Sequence, residues 1–145
     1  MNGKKVVFIS SLIVGIVFAF NATLVWAKDM TAQDLVEEAK EKIVMISVAE
    51  AEAMFVKGGI IFLDCREPKE YKSGHIPTAI NIPRGLLEFD IEKEIPDKSS
   101  PIVMYCKSGG RGCLACYSIV RMGYTNVKNM DGGWKAWVKA GYPIE

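Results

Sequence analysis

The sequence predicts a single α/β domain with a mainly parallel β-sheet flanked by helices. Strand-like and helix-like segments alternate along the chain, with no internal repeat and no low-complexity tract. In residues 102–121 a short apolar strand, a six-residue loop and a helix follow one another directly. A second apolar run, residues 60–63, ends at Asp64, a pattern typical of a central parallel strand with its functional end at the carboxyl side.

The first 27 residues predict an export signal. Lys4 and Lys5 precede an apolar run over residues 6–20, and a small-residue cleavage site ends at Ala27. Residues 6–27 are also close to the ~20 apolar residues that cross a bilayer, so an uncleaved membrane anchor is the alternative to a cleaved signal peptide. Either alternative predicts an exported domain that is periplasmic or anchored in the membrane facing the periplasm.

Charge and length limit the classes of function. The 145 residues include 18 basic and 17 acidic side chains, for a formal net charge of +1. Such a chain can bury the core of one domain, and it lacks the basic excess that nucleic-acid binding requires. We therefore expect no nucleic-acid partner.

The segment between the predicted export signal and the expected domain is polar. Residues 28–42 predict a helix capped by Thr31, which we interpret as a surface helix or as a spacer away from the membrane. The folded domain is expected to span residues 43–145.

Each element of this domain has a local signal. Ser47 and Glu50 form a capping box after a short edge strand, and Gly58 and Gly59 end the helix that follows. Pro68 opens a short helix. The later predictions are a strand within residues 75–83, one or two helical turns at 85–89, a charged surface connection at 90–100, a strand at 126–130 and a helix at 133–141.

The loop between the predicted strand and helix at residues 102–121 suits a nucleophile. Gly109 and Gly110 let successive backbone N–H groups point at one centre, and the start of a helix adds its positive dipole end. Cys106 at the mouth of this cradle is expected to be a thiolate, the nucleophilic form, with Arg111 as a fixed cation for an anionic substrate. The alternative is an apolar Cys that ends a core strand before a Gly-rich turn.

Four phrases together resemble the rhodanese family of single-domain sulfurtransferases. They cover about residues 43–145 in the family's order, and the resemblance implies a rhodanese-like three-layer domain. The phrases are Leu-Asp64-Cys-Arg66-Glu-Pro, Gly74-His75-Ile-Pro-Thr-Ala-Ile-Asn81-Ile-Pro, Tyr-Cys106-Lys-Ser-Gly-Gly-Arg111 and Met-Asp-Gly132-Gly133-Trp134-Lys-Ala-Trp.

The resemblance implies that Cys106 takes the outer sulfur of thiosulfate, polysulfide or a similar donor as a persulfide. It then passes the sulfur to cyanide, a small thiol or a protein thiol, without a cofactor. The six-residue loop is similar to that of sulfurtransferases, whereas the related phosphatases and arsenate reductases have a loop one residue longer. The expected substrate-binding residues are Lys107, Ser108, Gly109, Gly110 and Arg111.

Other matching residues have supporting roles by the same resemblance. Asp64 and Arg66 match a D-x-R pair, which we interpret as an ion pair that braces the pocket, with direct substrate contact as the alternative. The single histidine, His75, is expected to be structural rather than catalytic. Trp134 and Trp137 are expected to pack the last helix on the sheet.

The cysteines depart from the family pattern. The family often has Ser or Thr after the loop arginine, whereas this chain has Gly112, then Cys113 and Cys116. One hypothesis is that Cys113 or Cys116 resolves the persulfide or forms an inactivating disulfide, and the alternative is that both are small apolar residues facing the sheet. Cys65, where the family commonly has an aliphatic residue, is expected to be buried. The cysteine spacing does not predict a metal site.

Three classes of function follow. The first is an exported sulfurtransferase that acts through Cys106. The second is a thiol–disulfide redox protein that uses Cys106 with Cys113 and Cys116. The third is a non-catalytic rhodanese-like binding module, which the presence of Cys106, Gly109 and Arg111 disfavours.

Overall fold

The structure, a computed structural model, describes residues 29–145, so the predicted signal or anchor lies outside the described residues. No helix within residues 29–145 is long and apolar enough to cross a membrane. Helices and strands alternate, in the order α1 (Ala32–Lys40), β1 (Val44–Ile46), α2 (Val48–Lys57), β2 (Ile61–Asp64), α3 (Pro68–Lys72), β3 (Ile80–Asn81), α4 (Leu87–Glu94), β4 (Ile102–Tyr105), α5 (Gly110–Arg121), β5 (Val127–Met130) and α6 (Gly133–Lys139).

The five strands form one sheet in the order β1-β5-β4-β2-β3, and every neighbouring pair is parallel. The predicted α/β fold with a parallel sheet is therefore confirmed. β4 is the central strand, so the loop that follows it lies between the carboxyl ends of β2 and β5. In such sheets the crevice at these ends is the usual ligand site.

Side chains alternate across the sheet and build a core on each face. On one face, Leu63 and Met104 pack under α4 and α5. On the other, Phe62 and Val103 pack under α2 and α6, where Trp137 is fully buried. The domain thus has three layers, and Cys106 belongs to the face that α4 and α5 cover.

The predicted caps at Thr31 and Ser47 are confirmed, and both are capping boxes. Thr31 begins α1 and Ser47 begins α2, each with a reciprocal hydrogen bond to the acidic residue three positions later. Of the two interpretations of residues 28–42, the structure favours a surface helix of the domain over a spacer, because α1 packs against α5 and buries Ala39. A methyl group of Val36 reaches Gly110, at the start of α5. The helix thus adds to the folded unit that the sequence placed at residues 43–145.

One local prediction is wrong, and another is confirmed only in part. The charged connection expected at residues 90–100 is helical as far as Glu94, because Leu87, Ile91 and Ile95 recur every four residues and are buried. The strand expected within residues 75–83 contains only Ile80 and Asn81. The preceding residues form a turn in which Thr78 has a positive φ of 66°.

Candidate active site

The first turn of α6 supports the loop that follows β4 through backbone hydrogen bonds. The Trp134 N–H donates to the carbonyl oxygen of Cys106 at 2.7 Å, and the Lys135 N–H donates to that of Lys107 at 3.0 Å. These bonds turn the loop carbonyls towards α6 and leave the loop N–H groups free to face the opposite way. Gly133 permits this close approach, because a Cβ there would overlap the Cys106 carbonyl.

The N–H groups on the open side of the loop surround the sulfur of Cys106. The Gly109 N–H donates to this sulfur at 3.2 Å, and Gly109 adopts a φ of 104° that favours glycine. The N–H groups of Ser108 and Gly112 also stabilise the thiolate. The Cys106 residue is 1% exposed, so the sulfur lies at the floor of the cradle rather than at its rim.

These donors make Cys106 an acidic thiol. A hydrogen bond from the Cys65 thiol and the loop N–H groups lower the pKa of Cys106 to about 5, against the opposing effect of burial. At neutral pH this residue is therefore a thiolate, the form that attacks sulfur or another electrophile. The other three cysteines have raised pKa values.

Cys65 is a contributor that sequence reasoning missed. It is buried, as predicted, but it also lies beside the nucleophile, and its hydrogen bond with Cys106 keeps the Cys65 thiol protonated, with a pKa well above the ordinary value. The signal was available in principle, because Cys65 follows a strand end just as Cys106 does. What was missing is that β2 and β4 are neighbours in the sheet.

Arg111 lies on the first turn of α5 and is paired with Glu70 of α3. Its Nη1 and Nη2 groups donate to the two carboxylate oxygens at 2.8 and 3.0 Å. The pair is partly exposed, with 36% of the Arg111 side chain and 27% of the Glu70 side chain accessible. The hydrogen bonds with Arg111 lower the pKa of Glu70. Glu70 thus fixes the direction of the cation, and a bound anion would share the guanidinium with it.

The Asp64–Arg66 pair lies in the interior beside the loop. The Arg66 Nε and Nη2 groups donate to the Asp64 carboxylate at 2.8 and 2.6 Å, and Nη2 also donates to the Gly74 carbonyl at 2.8 Å. The guanidinium lies over the Trp134 ring, 4.6 Å from its centroid. These contacts support the bracing interpretation of Arg66 over direct substrate contact, and they connect β2 to the helix that holds the loop. Trp134 is therefore part of this brace, whereas Trp137 packs in the core.

The remaining loop residues differ in what their side chains offer. Lys107 and Ser108 are exposed at the mouth of the cradle, so the Lys107 ammonium can add positive charge there while Ser108 contributes its N–H. Gly110 is the first residue of α5 and faces Val36 of α1. The structure thus brings the predicted loop residues together around one sulfur atom.

Cys113 and Cys116 are buried in other surroundings. The Asn129 side-chain amide donates to the Cys113 sulfur at 3.3 Å, and Cys116 packs in the core between α5 and the sheet. Burial raises the pKa of Cys116 to about 12. These surroundings support the interpretation of both as core residues. The same asparagine explains the glycine at position 112, because a Cβ on Gly112 would overlap the Asn129 amide oxygen.

The contacts of His75 are with Tyr71 and with the C-terminal residue Glu145. Its ring stacks on Tyr71 at a centroid distance of 3.7 Å, and its Nδ1 atom contacts the Tyr71 carbonyl at 3.1 Å. The His75 backbone exchanges two hydrogen bonds with Glu145. Among residues 29–145, no three His, Cys, Asp or Glu side chains converge as metal ligands.

The assembled site can hold a negatively charged sulfur atom. It combines a buried cysteine with a low pKa, backbone N–H donors around its sulfur and a nearby guanidinium. Residues 47–140 of this chain match the family of rhodanese-like domains. These residues include every element from the start of α2 to the end of α6. The chain belongs to the rhodanese family.

Several curated proteins resemble this rhodanese in sequence. Protein HIGH ARSENIC CONTENT 1, mitochondrial, of Arabidopsis thaliana is 35% identical over 129 residues, with 79% of this chain and 75% of the relative covered. A sulfurtransferase of Allochromatium vinosum is 39% identical over 85 residues, which are 59% of this chain and 78% of the relative. The thiosulfate sulfurtransferase GlpE of Pseudoalteromonas translucida is 32% identical, with 66% of this chain and 89% of the relative covered.

Solved structures share the fold. A protein of unknown function from Rhodopseudomonas palustris, described as a possible tyrosine phosphatase, superposes with a TM-score of 0.73 at 30% identity, covering 81% of this chain and 96% of that one. A rhodanese with anions from E. coli superposes with a TM-score of 0.53 at 32% identity, covering 59% of this chain and 96% of that one. The predicted rhodanese-like architecture is confirmed.

Proposed function

We propose that the protein is a rhodanese-type sulfurtransferase that carries sulfane sulfur as a persulfide on Cys106. The observation that carries the proposal is the position of the Cys106 sulfur among the backbone N–H groups of the loop, which lower its pKa. The sulfurtransferase names of its relatives support the same conclusion. Thiosulfate or a similar anion is the donor, and a thiol or cyanide is the acceptor.

The first step uses the low pKa of the nucleophile. The Cys106 thiolate attacks the outer sulfur of thiosulfate, the sulfur–sulfur bond of the donor breaks, and sulfite leaves with the bonding electron pair. Arg111 and Lys107 attract the doubly charged donor. Because the nucleophile is already a thiolate, no general base is needed, and His75 need not contact the reacting atoms.

The second step uses the loop. After transfer, the negative charge resides mainly on the outer sulfur of the persulfide, where the loop N–H groups can stabilise it as they stabilise the thiolate. An acceptor thiolate or cyanide then attacks the outer sulfur, and the Cys106 thiolate is the leaving group. The same donors thus stabilise both ends of the cycle.

The proposal includes the cellular location. The basic, apolar and small-residue pattern of residues 1–27 supports an exported protein, in the periplasm or anchored in the membrane facing it. Such a protein would meet small sulfur anions and thiols outside the cytoplasm. Expression with residues 1–27 and fractionation of the cells, followed by intact mass, tests both the location and the cleavage before Lys28.

Intact-mass spectrometry tests the chemistry. The purified protein is reduced, freed of reductant, and treated with thiosulfate and then cyanide. A gain of about 32 Da that maps to Cys106 and is removed by cyanide supports the proposal. Cys106→Ser should gain nothing, and Cys116→Ser, a buried cysteine away from the loop, should gain the same mass as the wild type. A sulfur adduct that persists in Cys106→Ser would refute the assignment of the nucleophile.

A further inference from the structure

The second cysteine of the site lies opposite Cys106 on the neighbouring strand. Asp64 of β2 pairs with Tyr105 of β4, so the next residue on each strand, Cys65 and Cys106, continues the same register. The ladder does extend this far, because the Cys65 N–H donates to the Tyr105 carbonyl at 3.0 Å. Adjacent strands are about 4.8 Å apart, within the range of roughly 4.4–6.8 Å between the Cα atoms of a disulfide.

The two side chains also share a face and an environment. Cys65 and Cys106 belong to the same core cluster, and they are 0% and 1% exposed. Of the groups around Cys106, the Cys65 thiol is the one that most lowers the pKa of Cys106, as expected for a side chain on the adjacent strand position. Cys113 instead contacts Met45 and Asn129, and Cys116 lies deeper in the core.

We propose that Cys65 is the resolving cysteine of this site: it attacks the Cys106 persulfide when no acceptor arrives, forms a Cys65–Cys106 disulfide and releases the outer sulfur as sulfide. The inference rests on the proposed function, because it needs a sulfane sulfur on Cys106. It assigns a second product to the site.

The step balances without a further reactant. Cys65 gives its proton to the outer sulfur of the persulfide, and the sulfur of Cys65 bonds to the Cys106 sulfur. The bond between Cys106 and the outer sulfur breaks, and that sulfur leaves as sulfide with the electron pair. The outer sulfur is reduced by two electrons, which the two cysteine sulfurs supply as they become a disulfide.

The protonated state of Cys65 sets the order of events. Its raised pKa makes it a poor nucleophile, so a thiolate or cyanide that reaches the persulfide intercepts the sulfur first. Without an acceptor, the internal reaction stops the enzyme after one sulfur. A thiol reductant then restores both cysteines, so that thiosulfate and two thiols yield sulfite, sulfide and one disulfide per cycle.

A loading experiment separates the resolving step from the loading step. Reduced protein is treated with thiosulfate, or in parallel with inorganic polysulfide, and is then desalted to remove donor and sulfite. Intact mass and released sulfide are followed over time without an acceptor. Cys65→Ser keeps a hydrogen-bond donor beside Cys106 but cannot form a disulfide, and Cys116→Ser is the matched control that removes a buried thiol elsewhere.

In the wild type and in Cys116→Ser, the added mass of about 32 Da should disappear with time. The final mass should be about 2 Da below that of the reduced protein, and one sulfide should be released per chain. Peptide mapping should join Cys65 to Cys106. Cys65→Ser should keep the persulfide and release no sulfide in the same period.

Two contrary results have different meanings. A persulfide that lasts as long in the wild type as in Cys65→Ser, or a disulfide that joins Cys106 to Cys113 or Cys116, overturns the resolving role and leaves the sulfurtransferase intact. Failure of both donors to load Cys106 in any variant overturns the proposed function and this inference together.

Discussion

Removal of the Cys65 thiol should raise the pKa of Cys106 by a measurable amount. The hydrogen bond from Cys65 is the largest of the contributions that lower this pKa from 9.0 to about 5. A hydrogen bond to a charged group is worth ~1.5–3 kcal/mol. Since one pKa unit corresponds to about 1.4 kcal/mol, Cys65→Ala should raise the pKa of Cys106 by about 1 to 2 units.

The change is largest in mildly acidic solution. At pH 6, a pKa of about 5 leaves about 90% of Cys106 as thiolate, whereas a pKa of about 6 to 7 leaves about 50 to 10%. Because only the thiolate is alkylated, the iodoacetamide reaction at pH 6 should slow by about 2- to 10-fold in Cys65→Ala. Above pH 8 the two proteins should react at similar rates.

Alkylation rates between pH 4 and pH 9, with the modified residue identified by mass, measure this shift. Cys65→Ser should stay close to the wild type, since its hydroxyl can donate the same hydrogen bond, and Cys106→Ser gives the background rate. An unchanged titration of Cys106 in Cys65→Ala would show that the loop N–H groups alone set the pKa. A wild-type midpoint near 9 would refute the thiolate itself.

Three further predictions concern the frame of the site. Arg66→Ala should lower the free energy of unfolding by ~3–5 kcal/mol, because it leaves the buried Asp64 carboxylate unpaired. Arg111→Ala should change the free energy of unfolding by less than about 1 kcal/mol, since its ion pair is partly exposed. Arg111→Ala should nevertheless raise the KM for thiosulfate severalfold. Denaturant titration and steady-state kinetics separate the two effects, and equal KM increases would place Arg66 in contact with substrate. Gly133→Ala should slow persulfide formation more than any other alanine substitution on α6, because the new methyl group displaces the loop carbonyl; a wild-type rate would contradict the close approach. Trp137→Ala should cost ~3–5 kcal/mol by opening a cavity under α6, and a loss below 1 kcal/mol by denaturant titration would show that the core collapses to fill it.

Local signals in the sequence predicted most of the elements. The capping boxes at Thr31 and Ser47, and the Gly58 end of α2, each depend on residues within a few positions of one another, so they could be predicted without knowledge of the fold. The missed half of α4 is instructive. Its charged residues suggested a surface connection, although Ile91 and Ile95 at four-residue spacing indicated a buried helical stripe.

The pairings within the site could not be predicted in the same way. Arg111 and Glu70 are 41 positions apart, and they meet because α3 and α5 begin at the same edge of the sheet. Cys65 meets Cys106 because β2, rather than the preceding strand β3, is the neighbour of β4. Strand order depends on the packing of whole helices and strands. The residue types therefore indicated which side chains could take part in chemistry, but not which of them are in contact.

The support of the loop by α6 has a consequence for the newly made protein. Synthesis proceeds from the N-terminus, so Cys106 leaves the ribosome before Gly133, Trp134 and Lys135 do. Until α6 has docked, the carbonyls of Cys106 and Lys107 lack their partners, and the loop N–H groups have no fixed direction. The loop N–H groups therefore reach the arrangement that stabilises the Cys106 thiolate only when the C-terminal part of the domain completes the fold.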